Sequence, residues 1–522
     1  MEGAEYVCAH MKLGKLLLLH KLMANLLMYR LMASSLVPGL VWILVSFFFL
    51  PSAVDRRSCV EAARRSLLNS ERADTNSIVS AQYRTAYHFQ PLRNWINDPN
   101  GPVYYNGIYH LFYQYNPYAA IWGNITWGHS VSTDLVHWTG LEPALSPTDP
   151  FDVNGCWSGS ATIPGGDAEK RQVQNFAYPK NLSDPLLREW IKPGYNPVME
   201  PVDGLDPNQF RDPTTGWLGH DGLWRVAVGA EVGLKGQALL YRSKDFVRWA
   251  RTDNPLFAAN GSGTWECPDF YYLKGEGEKY VLKMSLGEAD QSDHYMLGAY
   301  DEERDTFVPD DTEDDDYRMW RRYDYGKFYA SKTFFDDKKQ RRILWGWLNE
   351  SDSAADDVAK GWSGIQTVPR VVTLDTNMKQ LVQWPVQELE SLRGKQTDLR
   401  GVELKTGDLV EVKGLKASEV DVEAEFELPN LKTAEPFDAN WILDPAMLCR
   451  DKGSSVQGKI GPFGLFVLAS SDLKEYTAIS FRIFDSGEGY KVLMCSDQRR
   501  SEAIGWLVEN HSGLEIQQQR NP

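Results

Sequence analysis

Ser132-Thr-Asp-Leu-Val-His-Trp138 returns as Ser243-Lys-Asp-Phe-Val-Arg-Trp249, with the same Ser-x-Asp-apolar-Val-x-Trp spacing 111 positions further on. Each copy follows an apolar, strand-like run. Repetition at a fixed distance marks an architecture of like units, and with propeller blades of roughly 40 to 55 residues the offset corresponds to about two blades. Two unrelated hairpin ends are the alternative. On either side, residues 83–392 are short apolar runs punctuated by Gly, Pro, Asn and Asp with almost no sustained helical period, which predicts an all-β region. A boundary is expected after LVQWPVQELESL at Leu381 to Leu392, whose mixed acids and apolars suit a connection with one helical turn. From Val402 alternation resumes. In Glu419-Val-Asp-Val-Glu-Ala-Glu-Phe-Glu427, the residues Val420, Val422, Ala424 and Phe426 are predicted to face a core while the acids face water, as in a half-buried sandwich strand. The 522 residues therefore read as an N-terminal segment 1–57, an all-β domain 83–392 and a second all-β domain 402–522.

Composition narrows the partners. The 18 Trp, 24 Tyr and 21 Phe supply many pleated, half-buried surfaces and ample area for stacking on sugars. A net charge of −16 excludes nucleic acid and an anionic membrane surface, both of which would repel the chain at long range, and argues against ionic retention on pectin. Leu36 to Val54 reads LVPGLVWILVSFFFLPSAV, flanked by Arg30, Arg56 and Arg57, so residues 1–57 are expected to hold a cleaved signal peptide or a membrane anchor. Counted from Met32, the segment has the length and small-residue end of a secretory signal. That favours translation from Met32 and a secreted protein, with a membrane as partner only if the segment is retained. Among the six cysteines, Cys449 and Cys495 flank strand-like runs in the C-terminal third and are the predicted disulfide, which a secretory route allows. Cys156 and Cys267 are expected as small buried packing residues. No cysteine pair has metal-ligand spacing with His, so neither a metal nor a cofactor is expected. Sequons at Asn124, Asn181, Asn260, Asn349 and Asn510 are the predicted glycosylation sites.

Three acids stand in short, stiffened turns: Asp98 in W-I-N-D-P-N-G at Trp95 to Gly101, Asp212 in F-R-D-P at Phe210 to Pro213, and Glu266 in W-E-C-P-D at Trp265 to Asp269. Such turns hold a carboxylate in place rather than leave it on a mobile face. Cleaving a sugar acetal takes one carboxylate as nucleophile, one carboxylic acid to protonate the leaving oxygen, and aromatic surface for the apolar sugar faces. Glu266, between Trp265 and Cys267-Pro268, is expected in an apolar setting that keeps it protonated, whereas the turn amides and Asn97 around Asp98 favour the charged form.

Taken in this order, with W-G-H-S at Trp127 to Ser130 and W-S-G-S-A-T at Trp157 to Thr162, the motifs resemble the plant acid invertase and fructan exohydrolase family, from about Tyr83 to about Ser501. The resemblance implies a five-bladed β-propeller, its blades of about 60 residues filling residues 83–392, followed by a β-sandwich. It casts Asp98 as nucleophile on a terminal β-fructofuranosyl unit and Glu266 as general acid/base. Asp212, with Arg211 beside it, is cast as the acid that binds fructose hydroxyls. A retaining mechanism of this kind implies carboxyls about 5 to 5.5 Å apart. It matches Trp95, Trp122 and Trp157 to the aromatic wall, and Asn97, Gln114 and Ser158 to polar contacts; Tyr323 and Lys327 lie in a further matching stretch. The implied location is the apoplast or cell wall, with the vacuole as the alternative.

Three departures stand out. IPGGDAEKR replaces a family strand between Thr162 and Gln172, which predicts a blade one strand short. After Ser501 the chain leaves the family pattern, so the sandwich is expected to be truncated. Sucrose-preferring members carry an Asp and, three positions on, a Lys that bind glucose, and SLGEADQSDHY at Ser285 to Tyr295 has no Lys. The expected activity is therefore a fructan exohydrolase acting on an oligo- or polysaccharide, with a sucrose-cleaving acid invertase as the near alternative. A catalytically impaired fructan-binding or regulatory protein is the alternative from another class.

Overall fold

The computed structural model describes residues 83–500, apart from 161–171, 202–203, 274–277, 288–290, 311–315, 351–352, 416–418, 429, 444 and 488, together with 511–513 and 517–519. The N-terminal segment 1–57, the replaced stretch between Thr162 and Gln172 and the sequon at Asn510 lie outside the described residues.

The propeller opens with an antiparallel meander of β1 (Asn94–Tyr105), β2 (Ile108–Asn116), β3 (Thr126–Ser132) and β4 (Trp138–Leu145). Asn106 and Gly107, both at positive φ (46° and 91°), make the two-residue turn that matches the twist of a tight hairpin. In the second blade the described strands are β5 (Tyr178–Pro179) and β6 (Trp190–Ile191), with a bridge from Gln174 to Met199. The third is β7 (Phe210–Arg211), β8 (Trp217–Leu218), β9 (Trp224–Val232), β10 (Lys235–Ser243), β11 (Trp249–Arg251) and β12 (Phe257–Asn260). β13 (Trp265–Leu273), β14 (Lys279–Leu286), β15 (Ser292–Asp301), β16 (Thr306–Pro309) and β17 (Arg321–Arg322) make the fourth. The fifth is β18 (Phe328–Asp336) and β19 (Arg341–Leu348), then, after helix α1 (Ala354–Lys360) and strand β20 (Trp362–Ser363), β21 (Ile365–Gln366), β22 (Arg370–Leu374) and β23 (Leu381–Pro385). β20 leaves the fifth blade and pairs in parallel with β1, joining Asn94 to Trp362 and Trp95 to Ser363 and so closing the ring.

The repeated heptapeptide is one turn made twice. In the first copy the Ser132 hydroxyl accepts from Leu135 N, Asp134 accepts from Val136 N and His137 N, and Trp138 donates to Leu135 O. In the second, Ser243, Asp245 and Trp249 make the same bonds around Phe246. Leu135 and Phe246 both stand at positive φ (69° and 62°). Each copy joins the third strand of its blade to the fourth, with one blade between them. Blades meet through apolar layers: Leu240, Trp265 and Leu282 between the third and fourth, Tyr295, Phe328 and Leu344 between the fourth and fifth, Leu111, Phe334 and Trp345 between the fifth and first. Burying each such side chain stabilises by about 1.5–3 kcal/mol, so the ring is held mainly by its interblade faces.

Behind the propeller lies the sandwich region, ordered among the described residues as one six-stranded sheet: β24 (Glu435–Pro436), β25 (Phe463–Val467), β26 (Tyr476–Asp485), β27 (Tyr490–Arg500), β28 (His511–Gly513) and β29 (Gln517–Gln519). Helix α2 (Pro445–Lys452) is tied to β27 by the predicted disulfide between Cys449 and Cys495. Leu448, Phe484 and Leu493 form the core beneath it, packed on Phe437 and Trp441 of the same region and on Tyr325 of the propeller. The strand predicted over Glu419–Glu427 does not form. The segment runs without ladder pairing, Val420 and Val422 are 47% and 50% exposed, Ala424 is exposed, and only Phe426 packs, edge-on to Phe463 at 5.3 Å. Alternation supplies a face but not the ladder partner that makes a strand, and the segment pairs with no strand among the described residues.

Candidate active site

At one level of the propeller, the first strands of the first, fourth and fifth blades lose register: β1 between Ile96 and Pro99, β13 between Glu266 and Asp269, β18 between Tyr329 and Lys332. Bulges of this kind turn side chains that would otherwise alternate between faces. In the third blade, β7 ends at Arg211 and the chain turns at Asp212, φ 59°. The outcome is a pit into which four blades send Asp98, Asp212, Glu266 and Tyr329, while the second contributes Ser158.

Asp98 is the most tightly framed. Its Oδ1 accepts from Asn97 Nδ2 at 3.0 Å and its Oδ2 from the Ser158 hydroxyl. That hydroxyl accepts from Gln114, and Gln114 Oε1 accepts from Asn97 Nδ2 at 2.7 Å, so the predicted polar residues form a closed ring around the acid. Trp95 Nε1 donates to Asn97 Oδ1 at 2.8 Å, and Gln366, absent from the sequence reading, donates to Asn97 O at 2.5 Å. Burial raises the Asp98 carboxyl above its ordinary range; Ser158 and Asn97 counter it, and Glu266 adds to it. Asn97 does favour the charged form, as expected, but desolvation outweighs it.

Asp212 is buried, and Oδ2 accepts from Cys267 N at 3.0 Å. The Cys267 thiol lies between the two aspartates, 3.6 Å from Asp212 Oδ2 and 3.7 Å from Asp98 Oδ2. Burial first, and the Asp98 charge after it, raise the Asp212 carboxyl, while Arg211 and Lys332 oppose them. Cys267 is buried as expected, as is Cys156, and its thiol is pushed far up by burial and by the two acids.

Glu266 is not in the apolar setting read from its sequence neighbours. Trp265 points into the core, and Glu266, on the other face of the strand, meets Arg211 Nη1 at 2.8 Å and the Tyr329 hydroxyl at 2.6 Å. Arg211 therefore bonds Glu266 directly, while its charge also acts on its neighbour Asp212. It is itself held by Gln172 Oε1 at 3.1 Å and by Asn208 O. Gly287, at the end of β14, passes so close that a Cβ there would lie 2.8 Å from the Tyr329 hydroxyl. Tyr329 was missed although its stretch was singled out. Tyr323 from that stretch is a core residue, its hydroxyl bonded to Tyr271 at 2.5 Å, and Lys327 is exposed.

The three predicted tryptophans divide. Trp122, 60% exposed, stacks on half-buried Trp157 with ring centres 5.1 Å apart, a flat aromatic rim. Trp95 meets Trp347 edge-on at 5.9 Å. Among the described residues no cluster of His, Cys, Asp and Glu has the arrangement of a metal site. The sequon asparagines Asn124, Asn181 and Asn260 are exposed and Asn349 is half-buried.

The Glycosyl hydrolases family 32 N-terminal domain matches residues 88–385, and the Glycosyl hydrolases family 32 C terminal domain matches residues 388–505. The chain is 55% identical over 488 residues to beta-fructofuranosidase, insoluble isoenzyme 4, of Oryza sativa subsp. japonica, covering 89% of this chain and 82% of that protein. It is 53% identical over 474 residues to fructan 1-exohydrolase of Bromus pictus, covering 86% and 78%. Fructan 1-exohydrolase IIa of Cichorium intybus superposes with a TM-score of 0.79 at 48% identity, over 84% of this chain and 85% of that one, and a variant of it has been solved with 1-kestose. Two framed aspartates and a glutamate clamped by arginine and tyrosine, on a propeller matched along nearly its whole length, place this chain in family 32 of the glycosyl hydrolases.

Proposed function

We propose that the chain is a retaining β-fructosidase that releases terminal fructose from fructans. The observation that carries this is the convergence of Asp98, Asp212 and Glu266 on one pit, the first held through both oxygens by Asn97 and Ser158 and the last by Arg211 and Tyr329. Asp98 attacks the anomeric carbon of the terminal fructosyl unit while Glu266 gives a proton to the departing oxygen, leaving a fructosyl ester on Asp98 and a chain shorter by one unit. Water then attacks the same carbon, Glu266 takes its proton, and fructose leaves with Asp98 restored. Asp212 accepts fructose hydroxyls, and the Trp122–Trp157 rim takes the apolar sugar faces. Fructan over sucrose is supported by the names of the relatives at about half identity and by the absence of Lys from Ser285 to Tyr295. We further propose a secretory route, supported by the disulfide and the exposed sequons.

The test is to incubate the purified protein separately with sucrose, inulin and levan and to measure free fructose. A fructan should be the fastest substrate, and Asp98→Asn or Glu266→Gln should lower turnover by about 100- to 10,000-fold with the fold intact. Sucrose cleaved faster than every fructan would make the chain an invertase, which its 55% identity to a beta-fructofuranosidase would then explain. No fructose from any of the three would leave a fructan-binding protein.

A further inference from the structure

Beneath the pit lies a cation that the mechanism has not used. Lys332, three residues beyond Tyr329 on β18, is 2% exposed, and its ammonium donates to Pro213 O at 3.2 Å and Pro268 O at 2.9 Å. Those prolines follow Asp212 and Cys267, the two turns held at positive φ (59° and 44°), a backbone state that persists only where its surroundings fix it. Among the described residues no carboxylate stands within ion-pair distance of this lysine. Burying an ammonium on carbonyls alone is unfavourable, so its retention calls for a return elsewhere in the site.

The neighbours show where its charge is felt. On β15, Asp293 is paired with Lys283 of β14 at 3.0 Å. On β13, Asp269 accepts from the Thr333 amide and hydroxyl, and Glu266 is taken by Arg211. Arg342 of β19 lies over Tyr271 and donates to Thr333. Asp98 on β1 and Asp212 after β7 hold no cation in a direct bond, and Asp212 feels the charge of its neighbour Arg211 first and that of Lys332 after it. Burial disfavours the charged form of Lys332, and Cys267, Asp269 and Asp212 favour it, with Lys283 opposed.

We propose that Lys332 is a positioning residue for fructosyl transfer, whose buried ammonium ties the Asp212-Pro213 and Cys267-Pro268 turns together from below and keeps Asp212 in its ionised, hydroxyl-accepting form. This rests on the reading of Asp212 as the sugar-binding acid. Two variants separate charge from tethering: Lys332→Met keeps reach without charge, and Lys332→Gln can still donate to the carbonyls. In both, fructose release should fall about three- to tenfold further on the acid side of the pH profile than at its maximum, because Asp212 is ionised over a narrower range. A wild-type profile shape in folded Lys332→Gln overturns the proposal. Should neither variant fold, the double variant Lys332→Met with Asp212→Asn decides by thermal melting without substrate: recovery of a folded protein supports the coupling, and no recovery overturns it. Because melting needs no turnover, an inactive wild type would refute the fructosidase reading and leave this test standing.

Discussion

Burial lifts both Asp98 and Asp212 above the usual carboxylate range, and for an acid a raised folded value means that ionising the group works against the fold. The favourable contribution is fully present below the unfolded value of about 3.9 and is lost as pH climbs through the folded one. Asp98→Asn and Asp212→Asn should therefore raise the melting temperature by about 1–3 °C at pH 7 and by less at pH 4, while lowering turnover by about 100-fold or more. Differential scanning fluorimetry at the two pH values checks the sign, and variants that melt lower at pH 7 than the parent would contradict it. The three acids could be found in the sequence because each sits in a Trp- or Pro-marked turn. Their surroundings could not, since residues adjacent along a strand face opposite ways and the true neighbours of Glu266, Arg211 and Tyr329, lie 55 and 63 positions off.

At the scale of the element, the pit is made by interruptions in otherwise regular ladders. Three first strands shift register at one height, and the end of β14 closes on the acid through Gly287. A methyl group at Gly287 would lie 2.8 Å from the Tyr329 hydroxyl and 3.1 Å from Glu266 Oε2, and neither can retreat, since each is bonded to the other and Glu266 is also held by Arg211. Gly287→Ala should lower kcat by about 10- to 100-fold with little change in melting temperature, as expected when a reacting group is displaced by about 1 Å. Steady-state kinetics beside a melting curve checks this, and an unchanged kcat would show that Tyr329 does not set the position of Glu266. Both Gly287 and Tyr329 lie in stretches that the sequence singles out, Ser285 to Tyr295 and the one holding Tyr323 and Lys327, but their contact with Glu266 joins separate strands and cannot be read from position along the chain. The heptapeptide repeat, by contrast, carried its own hydrogen-bond pattern in its spacing and could be read directly.

For the molecule as a whole, every residue of the pit belongs to the propeller, and the disulfide belongs to the sheet behind it. Cys449 and Cys495 are 46 positions apart, and closing such a loop restricts the unfolded chain by up to about 4 kcal/mol. Cys449→Ser with Cys495→Ser should melt several degrees lower yet release fructose at the parent rate at 25 °C; a parallel loss of activity in the folded variant would tie the site to the sheet. Here the sequence was a poorer guide. The alternation at Glu419–Glu427 was clear, but a strand needs a partner and alternation names none. Ring closure has a bearing on how the enzyme comes to exist. Asp98 enters among the early residues, yet the strand that carries it is completed only when β20 pairs with it and Gln366 reaches back 269 positions to Asn97 O. A chain emerging from the ribosome can therefore gather Asn97, Gln114 and Ser158 around Asp98 early, but leaves this edge of the nucleophile's strand unpaired until residues 362–366 have been made.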